Sequence, residues 1–153
     1  MSSLPPAEAL APMLRELNAA LAAAPGAARA AAGARAAALF GAAERLIVYG
    51  SLAPGRANHL QLASLGGAWT RGWISGDRVA AGWGFDLGYP AVRWRPGGEH
   101  IEAWLLHTAG LAGEWDRLDD FEGAAYQRLL APFETDAGIV AVGYFYAATT
   151  GAG

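Results

Sequence analysis

The sequence contains no cysteine and no lysine, because all 11 of its basic residues are arginine. A chain without cysteine has no thiol nucleophile, disulfide or zinc–thiolate site. A chain without lysine cannot form a Schiff base or supply the lysine of a phosphate-binding P-loop. The two absences therefore exclude several classes of catalysis.

Positive charge is also scarce, since 14 acidic residues outnumber the basic ones and the net charge is -3. Such a chain lacks the cationic surface that neutralises nucleic-acid phosphates. Glu8, Arg15 and Glu16 interrupt the N-terminal stretch, which has neither a signal peptide pattern nor the length of a membrane span. We therefore expect a cytoplasmic protein that binds neither nucleic acid nor membranes.

Composition divides the chain into two zones. Residues 1–44 contain 19 alanines and no valine, isoleucine, threonine, tryptophan or tyrosine. Alanine favours helices, whereas the residues missing here favour strands. We predict an Ala-rich helical extension over residues 1–44 and one β-rich domain over residues 45–153.

The extension carries a leucine face that predicts an amphipathic helix. Its members are Leu10, Leu14, Leu17 and Leu21. Pro25 and Gly26 should end this helix, and a second Ala-rich stretch follows over residues 27–44. The leucine face would cap the domain, pair with a second copy to form a homodimer, or dock another partner, and the sequence does not select among these.

After residue 44, short apolar runs alternate with glycine and proline, which indicates many short strands. The predicted strands are Arg45–Tyr49, Thr70–Val79, Ala81–Asp86, Ala91–Trp94, His100–His107, Gln127–Phe133 and Ile139–Ala147. Leu111–Phe121 has helical spacing instead. This pattern predicts an α+β fold, namely a small closed or highly curved β-barrel with a few flanking helices.

Several familiar site patterns fail on inspection. Gly50 and Gly55 have P-loop spacing, but Arg56 and Ala57 stand where lysine and serine or threonine are required. The three histidines show no metal-ligand spacing, so no metal site is predicted.

Tyr49-Gly50-Ser51-Leu52 directly follows the apolar run 46–48. Glycine lets the backbone approach a ligand closely, and successive backbone N–H groups in such a loop can hold a carboxylate or an oxyanion. Taken alone, this segment is more typical of an ordinary turn after a strand.

Five of the 14 carboxylates fall within residues 114–122. Glu114, Asp116 and Asp120 are interpreted as a solvated helix face. Glu122 stands at the predicted end of the helix, where it can point into an apolar pocket, although taken alone it too is more typical of a solvated helix face. Burial and neighbouring carboxylates would raise the pKa of Glu122, as a residue that both accepts and returns a proton requires.

Together these motifs resemble the gamma-glutamylcyclotransferase-like (AIG2-like) family. The resemblance rests on Tyr49-Gly50-Ser51-Leu52 with Gly55 and Asn58-His59, then on Leu118-Asp119-Asp120-Phe121-Glu122-Gly123 with Tyr126 and Arg128. It covers residues 45–147 and leaves the N-terminal zone outside. The resemblance implies a small barrel with a cavity at one end and flanking helices.

The resemblance also implies a reaction and its residues. Glu122 would be the acid/base that helps a γ-glutamyl amide cyclise to 5-oxoproline with release of an amine. Tyr49, Gly50, Ser51 and Leu52 would hold the γ-glutamyl group of this small-molecule substrate, and Tyr126 would line the pocket. Arg128 would brace its strand or pair with an acidic neighbour. The reaction needs no metal and no cofactor.

Two other functions compete with this one. The first is a non-catalytic AIG2-like module that binds a metabolite or a partner protein. The second is a related amide reaction, such as removal of a γ-glutamyl protecting group. The leaving-amine pocket is predicted within residues 72–90, where Trp73, Trp83, Phe85 and Tyr89 either form it or pack as core aromatics.

Overall fold

The computed structural model describes residues 4, 6–49, 54, 59–79 and 91–148. The Ala-rich zone forms two helices, α1 (Ala7–Leu21) and α2 (Ala27–Phe40), as predicted. Helix α2 ends at Gly41, whose φ of 62° places it in the left-handed region that glycine tolerates best. A short 3₁₀ turn, Ala42–Glu44, then leads into the first strand.

Six strands follow in the described part of the chain. They are β1 (Arg45–Val48), β2 (Ala68–Val79), β3 (Ala91–Trp94), β4 (Glu99–His107), β5 (Tyr126–Thr135) and β6 (Gly138–Ala148). Each matches a predicted strand, with ends that differ by two residues at most. The remaining predicted strand, Ala81–Asp86, lies outside the described residues.

Two more helices flank the strands. Helix α3 (Leu60–Ala63) is short and was not predicted. The predicted helix Leu111–Phe121 is divided into a 3₁₀ segment, Ala109–Gly113, and helix α4 (Trp115–Glu122). The division falls just before the acidic residues, so α4 carries most of them.

The sheet closes into a five-stranded barrel. Its order is β3-β2-β4-β1-β6-β5, and β2 also pairs with β5 at Trp73 and Glu134. Strands β1 and β6 are parallel, whereas the other neighbouring pairs are antiparallel. The closed ring with β3 attached to β2 confirms the predicted α+β barrel.

Two glycines let β2 come close to the backbones of β5 and β3. A Cβ atom on Gly72 would lie 2.2 Å from the backbone oxygen of Glu134 in β5. One on Gly76 would lie 2.0 Å from the backbone oxygen of Arg93 in β3. Because any side chain at either position would collide with main chain, close strand approach requires glycine there.

Two hydrophobic clusters share the strands. The cluster inside the barrel includes Ile47, Ile74, Ile101, Phe133 and Phe145. The second cluster lies between barrel and helices, and it includes Leu46, Leu130 and Tyr144 together with the leucine face of α1. Neighbouring residues such as Leu46 and Ile47 face opposite sides of the barrel wall, as strand geometry requires.

The leucine face of α1 is buried within the chain. Leu10, Leu14 and Leu17 are 0, 0 and 2% exposed. This face therefore caps the barrel, and a homodimer through α1, which would use its opposite face, stays a prediction. The boundary at residue 45 between extension and domain also stays a prediction. Of the helices in the described ranges, none is long and apolar enough to span a membrane.

Candidate active site

Glu122 is the last residue of α4, on the face turned toward the barrel. Trp115, Leu118 and Glu122 are the buried residues of this helix, and their spacing of three and four places them on one side. Glu122 is 7% exposed. Gly123, with a φ of 79°, then ends the helix and lets the chain turn toward β5.

The surroundings of Glu122 favour its neutral form. Burial raises the pKa of Glu122 to about 7, and the negative charge of Asp119 contributes to the rise. Both protonation states of the side chain are therefore populated near neutral pH, which suits a group that accepts and returns a proton. The burial of Glu122 and the direction of its pKa shift agree with the sequence prediction, while its place in a substrate pocket and its catalytic role stay predictions.

Tyr49 follows β1 and points its hydroxyl into the structure. The hydroxyl donates to the backbone oxygen of Tyr146 and accepts from the backbone N–H of Val92 at 3.3 Å. Burial raises the pKa of Tyr49 far above its usual range, and the charges of Tyr126 and Glu122 add to the rise. Tyr49 therefore keeps its proton and acts as a fixed, neutral polar group within electrostatic range of Glu122.

The remaining predicted site residues divide into two groups. Tyr126 is the first residue of β5, is half-buried, and interacts electrostatically with Tyr49. The structure thus brings Tyr49, Glu122 and Tyr126 together from three elements. Gly50, Ser51 and Leu52 lie outside the described residues.

Asp119 is a residue of this region whose importance the sequence analysis missed. Its carboxylate accepts hydrogen bonds from Arg128 at 2.9 and 3.1 Å and from the Tyr146 hydroxyl at 2.6 Å. The pairing confirms that Arg128 has an acidic neighbour. The available signal was spacing, because Asp119 lies three residues before Glu122 and so shares a side of α4 with it.

The Arg128 guanidinium contacts two aromatic rings that also contact each other. Its guanidinium carbon lies 4.6 Å from the ring centres of both Trp115 and Tyr144. The Trp115 indole N–H in turn donates to the backbone oxygen of Ala43 at 2.8 Å. These stacking and charge-assisted contacts fix the end of α4 against β5 and β6, and with it the position of Glu122.

Of the four aromatic residues predicted for the leaving-amine pocket, only Trp73 lies within the described residues. Trp83, Phe85 and Tyr89 lie outside the described residues. Trp73 stacks on His100 with ring centres 4.4 Å apart, and lines a surface cleft with Arg71 and Glu102. Neither of these contacts connects Trp73 to the surroundings of Tyr49.

Comparison with solved structures places the fold among known proteins. YkqA from Bacillus subtilis and an AIG2-like protein from Mus musculus are each 25% identical to the chain, with a TM-score of 0.53 over 71% of it. The match covers 79% of the mouse chain but only 36% of YkqA, so this chain spans well under half of YkqA. A protein from Arabidopsis thaliana shares the fold at 18% identity and a TM-score of 0.52, over 72% of this chain and 71% of its own.

Sequence comparison gives the family directly. No protein with a curated description matches the chain. The family profile described as "Gamma-glutamyl cyclotransferase, AIG2-like" matches residues 46–152, which is most of the chain and all six strands except the first residue of β1. The chain therefore belongs to the gamma-glutamyl cyclotransferase, AIG2-like family.

Proposed function

We propose that the protein converts a γ-glutamyl amide into 5-oxoproline and a free amine, with Glu122 as the acid/base. The observation that carries this proposal is the buried Glu122 carboxyl, whose pKa is about 7 and which interacts electrostatically with Tyr49 at the start of the candidate substrate loop. Family membership supports the same reaction. Burying an ionisable carboxyl destabilises the fold, and a pure binding module has no need of such a group. A reaction that transfers a proton does need one.

The reaction is an attack within the substrate. Glu122 takes a proton from the α-ammonium, and the resulting amine forms a bond to the γ-carbonyl carbon. The bond from that carbon to the leaving nitrogen then breaks as Glu122 returns its proton to this nitrogen. The ring nitrogen loses a second proton, which balances the protonation of the released amine in water.

Most of the rate would come from geometry. Holding the substrate folded places the amine against the carbonyl, which removes a large entropic part of the barrier. Proton transfer by a positioned side chain typically adds about 10²–10⁴-fold. In this proposal, the backbone amides of Gly50, Ser51 and Leu52 bind the γ-glutamyl group and Tyr126 lines the pocket.

The test is a product assay with matched variants. Purified protein is incubated with γ-glutamyl amino acids, γ-glutamyl amines and a γ-glutamyl peptide, and 5-oxoproline is measured by mass spectrometry. Glu122→Gln keeps the shape of the side chain but removes its proton exchange. Asp120→Asn removes a carboxylate from an exposed position of the same helix and serves as the control.

We expect product from wild type and from Asp120→Asn, and none above background from Glu122→Gln. If the compounds bind but none of the three proteins gives product, the result would favour the non-catalytic module instead. Equal turnover by wild type and Glu122→Gln would remove Glu122 from the mechanism.

A cytoplasmic location, which would give the protein access to such metabolites, stays part of this proposal.

A further inference from the structure

Tyr146 of β6 contacts two parts of the candidate active site. Its backbone oxygen accepts the hydrogen bond of the Tyr49 hydroxyl, at the start of the candidate substrate loop. Its own hydroxyl donates to the Asp119 carboxylate at 2.6 Å. Tyr146 therefore joins Tyr49 to α4, the helix that carries Glu122.

The position of Tyr146 in β6 explains how its hydroxyl reaches α4. Tyr146 pairs with Arg128 of β5, so the two side chains are cross-strand neighbours and both reach Asp119. Its side chain belongs to the hydrophobic cluster between barrel and helices, and the residue is 5% exposed. Because the ring is enclosed in this cluster, the hydroxyl is held at Asp119 and does not turn toward water.

Four elements supply the charged and titratable groups around this contact. They are Asp119 and Glu122 on α4, Tyr126 and Arg128 on β5, Tyr144 and Tyr146 on β6, and Tyr49 after β1. The 3₁₀ segment Ala109–Gly113, which also packs against α4, has no charged side chain. Burial raises the pKa of Tyr146 far above its usual range, so at neutral pH the hydroxyl is a donor and carries no charge.

The Tyr146 hydroxyl moderates the charge that Asp119 presents to Glu122. The negative charge of Asp119 raises the pKa of Glu122. A hydroxyl hydrogen directed at this carboxylate offsets part of its charge, and together with Arg128 it holds the carboxylate in one orientation. Without the hydroxyl, Asp119 would oppose the charged form of Glu122 more strongly.

We propose that Tyr146 is a positioning residue of the proposed reaction, which acts through Asp119 to control proton transfer by Glu122. This inference rests on the proposed function and adds to it a residue of β6. The contact with Tyr49 fixes β6 at the same site, so the hydroxyl reaches Asp119 from a strand that is itself held in place.

Removing one oxygen atom tests this inference. Tyr146→Phe deletes the hydroxyl that binds Asp119, but it keeps the ring and the backbone oxygen that binds Tyr49. Tyr146→Phe, Asp119→Asn and the double variant are assayed for kcat/KM against pH, beside wild type and Asp120→Asn. Urea unfolding checks that each variant is folded. The Asp119→Asn background is the matched control, because the charge through which Tyr146 acts is absent there.

We expect the pH midpoint to rise in Tyr146→Phe, so that kcat/KM below the midpoint falls about threefold. The same substitution should leave the midpoint unchanged in the Asp119→Asn background. A merely structural role would lower kcat/KM equally at every pH. No rise in the Asp119 background, or an equal rise in both backgrounds, would overturn the inference while leaving the proposed reaction intact.

Carbon-13 NMR tests the same coupling without turnover. Protein labelled at the glutamate side-chain carboxyl carbon is titrated, and the signal of Glu122 is the one missing from Glu122→Gln. Its midpoint should rise in Tyr146→Phe and should not respond to this substitution when Asp119→Asn is present. This result in a protein that gives no 5-oxoproline would support the coupling and overturn the reaction. Turnover with an unchanged midpoint would overturn the coupling alone.

Discussion

Asp119 and Glu122 lie three residues apart on α4, and the charge of Asp119 raises the pKa of the buried Glu122 carboxyl. Asp119 is itself held by Arg128 and by the Tyr146 hydroxyl. The same carboxylate therefore anchors the end of α4 and adjusts the proton affinity of the candidate acid/base. Tyr49 and Tyr146 also interact electrostatically with Glu122, and burial keeps both hydroxyls protonated.

Asp119→Asn should shift the pH dependence of turnover downward. A general base must be unprotonated, so kcat/KM should rise with pH through the pKa of Glu122, about 7. Removing the Asp119 charge lowers this pKa, but it stays above the ordinary value because burial is the larger cause. The pH profile of kcat/KM checks this, with Asp120→Asn as control. An unchanged profile in Asp119→Asn would contradict the electrostatic coupling.

Glu122→Gln should stabilise the fold at high pH. Raising a carboxyl pKa from 4.5 to about 7 costs the charged form about 3 kcal/mol in the folded state. The folded state binds more protons than the unfolded state between these values, so wild-type stability should fall as pH rises across this window. Glu122→Gln has no such proton and should lack that part of the pH dependence. Urea unfolding of both proteins across the window measures the difference, and parallel curves would contradict the raised pKa.

Arg128→Lys should destabilise the protein by about 1–2 kcal/mol although the charge is kept. Lysine cannot form the two parallel hydrogen bonds to Asp119, and it lacks the planar group that contacts the rings of Trp115 and Tyr144. Thermal or urea unfolding measures the loss. Arg78→Lys changes an exposed arginine on β2 and should alter stability little. Equal effects of the two substitutions would mean that the stacked geometry of Arg128 contributes nothing.

Asn18→Ala should destabilise by about 2 kcal/mol, because it leaves the N–H and the carbonyl of Leu130 without their partner. Glu16→Ala, at an exposed position on the same helix, controls for the change in helix composition. The free energy of unfolding in urea checks both. A loss no greater than that of Glu16→Ala would show that α1 does not close the edge of β5.

Leu14→Ala tests whether α1 is integral to the barrel. Leu14 is fully buried, and removing such a side chain typically costs about 2–5 kcal/mol. Leu39→Ala on α2 makes the same chemical change at a side chain that is 49% exposed, so it should cost little. Chemical denaturation of the two variants gives the comparison. A small loss for Leu14→Ala would indicate that α1 detaches from the barrel in solution.

The sequence predicts the strands well because short apolar runs between glycines leave few alternatives. It also predicts the burial of Glu122, which ends an apolar helix face and directly precedes a glycine. It does not predict which two strands close the barrel, since the contact between Trp73 and Glu134 joins residues far apart in the chain. Nor does it predict the part that Asn18 plays, because the partner of this side chain is a backbone 112 residues away.

Asp119 shows why composition alone does not predict every residue of the site. Five carboxylates in nine residues suggest a solvated face, and for the exposed Asp116 and Asp120 that interpretation is right. Asp119 differs only because Arg128 and Tyr146, from two strands, meet it on one side of α4. That meeting depends on the tertiary fold.

The most direct test of the account follows the atoms of the product. A γ-glutamyl amino acid is incubated with the protein in water labelled with heavy oxygen, and the products are weighed by mass spectrometry. Cyclisation takes no oxygen from water, so we predict unlabelled 5-oxoproline in equal amount to the released amine, and its loss in Glu122→Gln. Labelled glutamate would instead show hydrolysis of the amide, and this result would contradict the proposed cyclotransferase reaction.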